Sequence, residues 1–144
     1  MHTGIDTVII AGSANLLNLL DLRPGRALKA GVIFVLPAML LGRSNAGNAN
    51  HAPELSLGLI AVSAAGLPKD LKGETMLGDL GANALGGAIG VLIADACNVS
   101  KTAKLGAAAV LVGLTALSEK ISFSQIIENT PVLREFDQLG RAAN

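Results

Sequence analysis

Apolar residues gather in five runs, about 5–20, 27–41, 53–68, 82–97 and 105–117, and polar or turn-forming residues separate them. Each run is roughly 13 to 18 residues, and none gives the about 20 unbroken strongly apolar residues of a simple membrane-crossing helix. Pro37 lies inside the second run and predicts a kink there. The last stretch, 122–144, has a different pattern. Ser122-Phe123-Ser124-Gln125 fits a capping box, and Pro131 opens a second short helix on which Leu133, Phe136 and Leu139 share a face. The pattern predicts an all-α protein: a transmembrane helical bundle of about five spans over 1–121, and a short cytoplasmic helical tail over 122–144. The tail is amphipathic, and two placements suit it: packed against the bundle or lying on the headgroups. Its charges, Arg134, Glu135, Asp137 and Arg141, read as ordinary surface charge.

Composition strengthens the membrane reading. Hydrophobic residues make up 51% of the chain and charged residues 15%, against about a quarter charged in an ordinary soluble domain. A lipid-facing surface needs no charge and accounts for the deficit. The chain has no Trp or Tyr, so the interfacial aromatic belt is missing. Its runs are rich in Ala and Gly, and Gly86 and Gly90 form a small-xxx-small pair suited to close helix packing. The formal net charge is zero and no basic block is present, which argues against nucleic acid as a partner. Cys97 is the one cysteine, and His2 and His51 lie far apart, so neither a disulfide framework nor a cysteine or histidine metal site is expected. Residues 1–6 lack the basic start of a secretory signal.

Three polar clusters break the apolar pattern. Asn15, Asn18 and Asp21 recur at intervals of three and so stack along one helical face. Two readings are open for them: hydrogen bonds between helices, or a polar ligand held at the helix end. Arg23, Arg26 and Lys29 follow around the Pro24-Gly25 turn. They suit an interfacial positive loop that sets topology, and equally the capture of phosphate by guanidinium forks. Third, Asp79 stands between Gly78 and Gly81 in the polar stretch 69–83. Glycines on both sides permit a tight turn that leaves the carboxylate free for a cation or donor; the plain alternative is a turn joining two helices. If all five runs span, the segments after spans one, three and five hold Arg23, Arg26, Lys29, Lys69, Lys72, Lys120, Arg134 and Arg141. The other side holds Arg43, Lys101 and Lys104. The positive-inside rule then puts Asp21, Asp79 and the tail together on the cytoplasmic face of a multi-pass cell-membrane protein.

Asn15-Leu16-Leu17-Asn18-Leu19-Leu20-Asp21 resembles the Asn-x-x-Asn-x-x-Asp motif of the polyprenyl-phosphate N-acetylhexosamine-1-phosphate transferases. Met76-Leu77-Gly78-Asp79-Leu80-Gly81-Ala82 resembles their Gly-Asp-x-Gly-Ser motif, in the same order. The tail, 122–141, is similar to the carboxyl ends of some bacterial members. The resemblance covers nearly all of this chain but only the later half of the family's usual length. It implies a membrane enzyme that transfers a sugar-1-phosphate from a UDP-amino sugar to undecaprenyl phosphate, releases UMP and uses Mg2+. It implies Asp79 as the magnesium ligand, Asp21 and Asp79 as catalytic residues, and Asn18 and Asp21 as contacts to the nucleotide-sugar or its metal, supported by Asn15. Arg23 and Arg26 join these as phosphate contacts on the strength of their charge alone.

The chain departs from the family pattern in four places. It contains no Asp-Asp pair, Pro24 stands where a second carboxylate is expected, Ala82 replaces the serine, and the family's histidine-rich or basic cytoplasmic loop is not recognisable. The expectation is therefore a transferase-like protein that is incomplete alone and relies on a second copy or a complementing N-terminal half. Two alternatives stand beside it: a non-catalytic membrane binding or scaffold protein, and a soluble α/β nucleotide-binding domain with Thr7–Gly12 as a strand feeding a turn. The second shows neither a dinucleotide fingerprint nor a P-loop.

Overall fold

A computed structural model describes residues 3–44, 52–118 and 120–141. Among these residues it contains seven α-helices and no strand. They are α1 (Thr3–Leu20), α2 (Arg26–Ser44), α3 (Ala52–Leu71), α4 (Gly78–Ala96), α5 (Lys101–Ser118), α6 (Phe123–Asn129) and α7 (Pro131–Gln138), with a 3₁₀ turn over Cys97–Val99. The five apolar runs are the first five helices, each extended by a few polar residues at its ends. The strand considered for Thr7–Gly12 is the middle of α1, which disposes of the α/β alternative. Pro37 and Pro68 both lie within helices. His51 lies outside the described residues.

α4 is the centre of the bundle and packs on α1, α2 and α3, while α5 packs on α1. The α1–α4 crossing is the tightest. A Cβ on Gly86 would lie 2.6 Å from the Ser13 carbonyl oxygen, and one on Gly90 would lie 2.6 Å from Ile10 Cα. The Gly86/Gly90 pair thus does what the spacing suggests and lets two backbones meet. Around it Leu17, Leu28, Val35, Leu59, Leu85, Ile89 and Leu92 are buried in one cluster. Ile9, Leu16, Ala108 and Leu111 form a second between α1 and α5.

The outer faces are apolar as well. Ile33, Leu36 and Leu40 on α2, Leu57 and Val62 on α3, and Leu105, Val110, Val112 and Leu117 on α5 are exposed. By length and composition α5 is the one described helix that can cross a membrane, with a mean hydropathy of 1.2, and α1 contributes a 17-residue apolar helix, Gly4–Leu20.

Polar groups collect at the two ends. One end carries the α1–α2 turn, the α3–α4 loop and the tail. The other carries the first turns of α1 and α5, where Lys104 Nζ donates to Asp6 Oδ1 at 2.6 Å.

Candidate functional site

The site is built where α1 and α3 end and α4 begins. α1 stops at Leu20, and Asp21 opens a turn through Gly25, whose φ of +74° suits glycine. α3 stops at Leu71, and the chain re-enters helix at Gly78, with φ +63°. Asp79 therefore sits in the first turn of α4 rather than on a free turn, and its side chain is exposed. A carboxylate there lies at the positive end of the helix dipole, which favours its charge. Gly81 is helical, with the Leu77 side chain against it.

Two carboxylates lock this end together. Asp21 Oδ2 accepts the Gly78 N–H at 2.8 Å, so the end of α1 holds the start of α4. Asp70 Oδ2 accepts the Gly25 N–H at 2.6 Å, so the end of α3 holds the turn after α1. Each loop is fixed by an acid from the other. Asp70 is 2% exposed, and its second oxygen, Oδ1, has no hydrogen-bond partner. Burial raises the Asp21 pKa above the ordinary 3.8; the Gly78 hydrogen bond opposes this, and the charges of Asp70 and Asp79 add to it. Asp70 and Asp79 are thus each close enough to Asp21 to repel it.

Asp70 is missed by motif reading. A signal for it exists: an acid in the last turn of α3 faces the negative end of the helix dipole, an unfavourable place unless a donor compensates.

The remaining candidates separate. Asn15 turns toward α5, where its amide donates to Thr115 Oγ1 at 3.2 Å, an inter-helix bond. Asn18 is half-buried one turn before Asp21. Arg23 is exposed and pairs with Glu128 of α6. Arg26 is buried, and its donors are taken by the tail: Nε and Nη2 bond Asp137 at 2.8 and 3.0 Å, and Nη1 bonds Ser124 Oγ at 2.9 Å.

Two of the tail charges, Asp137 and Arg141, are therefore not ordinary surface charge, whereas Arg134 and Glu135 are exposed. Asp137 is buried and also accepts from Arg141 at 2.9 Å. Burial alone would raise its pKa, but the Arg26 hydrogen bond and the charges of Arg26, Arg141 and Lys29 outweigh that and hold it below 3.8. Arg141 Nε donates to the Pro24 carbonyl at 3.0 Å, and Lys29 Nζ donates to the carbonyls of Phe136, Asp137 and Leu139 at the end of α7. Leu71 fills the gap between turn and tail: a Cβ on Gly25 would meet its Cδ2 at 2.5 Å, and one on Gly140 its Cδ1 at 3.1 Å. Ser122 makes no side-chain cap to α6; the hydroxyl used is Ser124, which binds Arg26 instead.

Among the described residues no group of three or more His, Cys, Asp or Glu is arranged to hold a metal ion. What the end offers is carboxylate oxygen: exposed Asp79, and Asp21 with one oxygen engaged by Gly78. That is a hard donor set of the size magnesium uses when waters and substrate phosphates complete its shell.

Behind this end, α1, α2, α4 and α5 line a half-open cavity of about 250 Å3 whose walls are almost wholly apolar and include Leu16, Phe34, Ile89 and Leu114. One hydroxyl, Ser13 Oγ, lines it and is buried with no hydrogen-bond partner.

Comparison with protein-family models, with curated proteins and with solved structures finds no match to this chain.

Proposed function

We propose that this chain is a membrane protein of the sugar-1-phosphate transferase kind, moving N-acetylhexosamine-1-phosphate from a UDP-amino sugar to undecaprenyl phosphate with release of UMP. One observation carries the reading. The two resembling motifs, distant in sequence, share a hydrogen bond, Asp21 Oδ2 to the Gly78 N–H, with Asp79 next to it. In this reading five helices span the membrane, α5 by its own length and apolarity and α1 to α4 as the helices packed with it, and the Asp21/Asp79 end, with the tail, faces the cytoplasm.

The chemistry asks one anionic phosphate to attack another. An oxygen of the lipid phosphate forms a bond to the sugar-bearing phosphorus, the bond from that phosphorus to the UMP oxygen breaks, and UMP leaves with the electron pair. Asp79 and the second oxygen of Asp21 would hold Mg2+, which supplies charge neutralisation between the two phosphates. The Gly78 N–H holds one oxygen of Asp21, and Asp70 pins the turn that follows it at Gly25, so the second Asp21 oxygen is presented with little freedom. Asn18, one turn earlier, contacts the nucleotide-sugar. Arg23, the guanidinium left at the surface, faces phosphate, whereas Arg26 serves by holding the tail. The apolar cavity behind the site suits part of an isoprenoid chain. The sequence has no Asp-Asp pair, so a second copy or a complementing half completes the site.

The test is UMP release from UDP-N-acetylglucosamine by the purified protein in detergent, with undecaprenyl phosphate and Mg2+, with and without EDTA. Magnesium-dependent release is expected once the completing partner is present. Magnesium-dependent binding of the UDP-sugar without UMP release, with and without partner, favours the binding-protein alternative to which the missing Asp-Asp pair points. Absence of both release and binding overturns the reading.

A further inference from the structure

α7 is an amphipathic helix whose two sides are treated differently by the fold. Asp137 turns inward to Arg26 and is buried. Leu133 and Phe136 are half-exposed and line a cleft with Leu20, Ala30 and Ile33 of α1 and α2. Val132 at 76% and Leu139 just beyond the helix at 66% are open. Arg134, Glu135 and Gln138 lie on the opposite arc, also exposed. The helix is thus moored by its polar contacts and leaves most of its apolar arc uncovered. A surface helix of a soluble domain does the reverse and buries its apolar stripe.

The surroundings say what covers that arc. The cleft runs from Leu133 and Phe136 to Ile33, and Ile33 begins the exposed apolar stripe Ile33, Leu36 and Leu40 along α2. Exposed apolar residues continue on α3 and α5. A second copy would cover one such patch; a belt on several outer helices calls for a continuous apolar medium. Lys29 marks the boundary. It lines the same cleft, its Nζ lies 5.6 Å from the Phe136 ring centroid, and its ammonium reaches the carbonyls of Phe136, Asp137 and Leu139. A long cationic side chain with its stem on apolar surface and its head among polar groups is the usual arrangement at a membrane interface.

We infer that α7 lies in the membrane interface with Val132, Phe136 and Leu139 dipped into the acyl boundary, moored to the bundle by the Asp137–Arg26 pair. The lipid surface is the partner, and the tail is held against the turn between α1 and α2 rather than extending freely. This rests on the reading of the bundle as membrane-embedded, and the experiment keeps the two apart.

The chain has no Trp, so a single introduced Trp reports one place. Full-length Val132→Trp, Leu139→Trp and Glu135→Trp, with Val112→Trp on the outer face of α5, are placed in phosphatidylcholine nanodiscs. Each is compared in plain lipid, in lipid brominated near the headgroup and in lipid brominated deep in the chains. Val132→Trp and Leu139→Trp lose most of their emission to shallow bromine and little to deep bromine, and Glu135→Trp loses little to either. Quenching of Val112→Trp without quenching of Val132→Trp and Leu139→Trp overturns the inference and leaves the bundle embedded. Equal quenching at Glu135 also overturns it. An unquenched pair whose emission shifts blue with protein concentration replaces lipid by a second copy and overturns it too. Loss of quenching at Val112 as well overturns both readings.

Discussion

The two polar ends of the bundle use charge in opposite ways. At the Asp6 end, an acid in the first turn of α1 meets a lysine in the first turn of α5, and the ion pair is complete. At the Asp21 end, three acids gather, two of them buried, and what they bind is backbone N–H rather than cations. The cations of that end are drawn aside to the tail, where Arg26, Lys29 and Arg141 surround Asp137. The first end is arranged for stability. The second keeps carboxylates close enough that burial and mutual repulsion raise the Asp21 pKa, and perturbed acids of that kind cluster where chemistry is done.

The largest break in this comparison is Asp79→Asn. The side chain is exposed, so stability changes little, while magnesium-dependent UDP-sugar binding is lost. Isothermal titration with Mg2+ and UDP-N-acetylglucosamine decides this; unchanged affinity removes the metal role given to Asp79.

Next comes Asp137→Ala, which strands the buried Arg26 guanidinium. Losing one partner of a buried pair costs about 3–5 kcal/mol, felt here as release of the tail. Limited proteolysis should cut α6–α7 in the variant while α1–α5 stay protected. Acid does the same to the native chain. The Asp137 pKa is held below 3.8 in the folded state, so its contribution is full above that value and is lost as pH falls through the folded pKa. A tail equally protected at neutral and strongly acid pH would contradict this.

Lys104→Met tests the other end. It leaves Asp6 without its partner, at a cost of about 1–3 kcal/mol, and should lower the thermal midpoint in detergent without touching UDP-sugar affinity. A change in affinity would mean that the two ends are coupled.

The smallest effect on stability belongs to Asp21→Asn. The amide oxygen can still accept the Gly78 N–H. A raised folded pKa means that the protonated carboxyl stabilises fully below 3.8, and that this is lost as pH rises through the folded value. At neutral pH the ionised acid is therefore a net cost that the amide does not carry. The thermal midpoint should stay level or rise while UMP release disappears. A clear fall in the midpoint would make Asp21 a structural acid.

Much of the fold was legible because helix formation is local. The apolar runs mark α1 to α5 within a few residues, since their length and periodicity depend on neighbours in sequence. Gly86 and Gly90 announced a close crossing by spacing alone, and the α1–α4 contact uses both. The gathering of the Asp21 turn, the Asp79 stretch and the tail at one end also followed from counting helices, because antiparallel neighbours return every second loop to the same side.

What the sequence could not supply was which side chain meets which. Asp70 and Asp137 look like any acid beside a lysine or arginine. Yet one closes on Gly25 and the other on Arg26, more than a hundred residues away in the second case. Asn15 and Asn18 share a face by periodicity, but only the packing of α5 gives Asn15 to Thr115. Sequence alone determined the helices, because these follow from local pattern. Tertiary structure decided the partners, because a buried charge takes whichever donor the packed helices bring within about 3 Å, and burial makes every alternative costly.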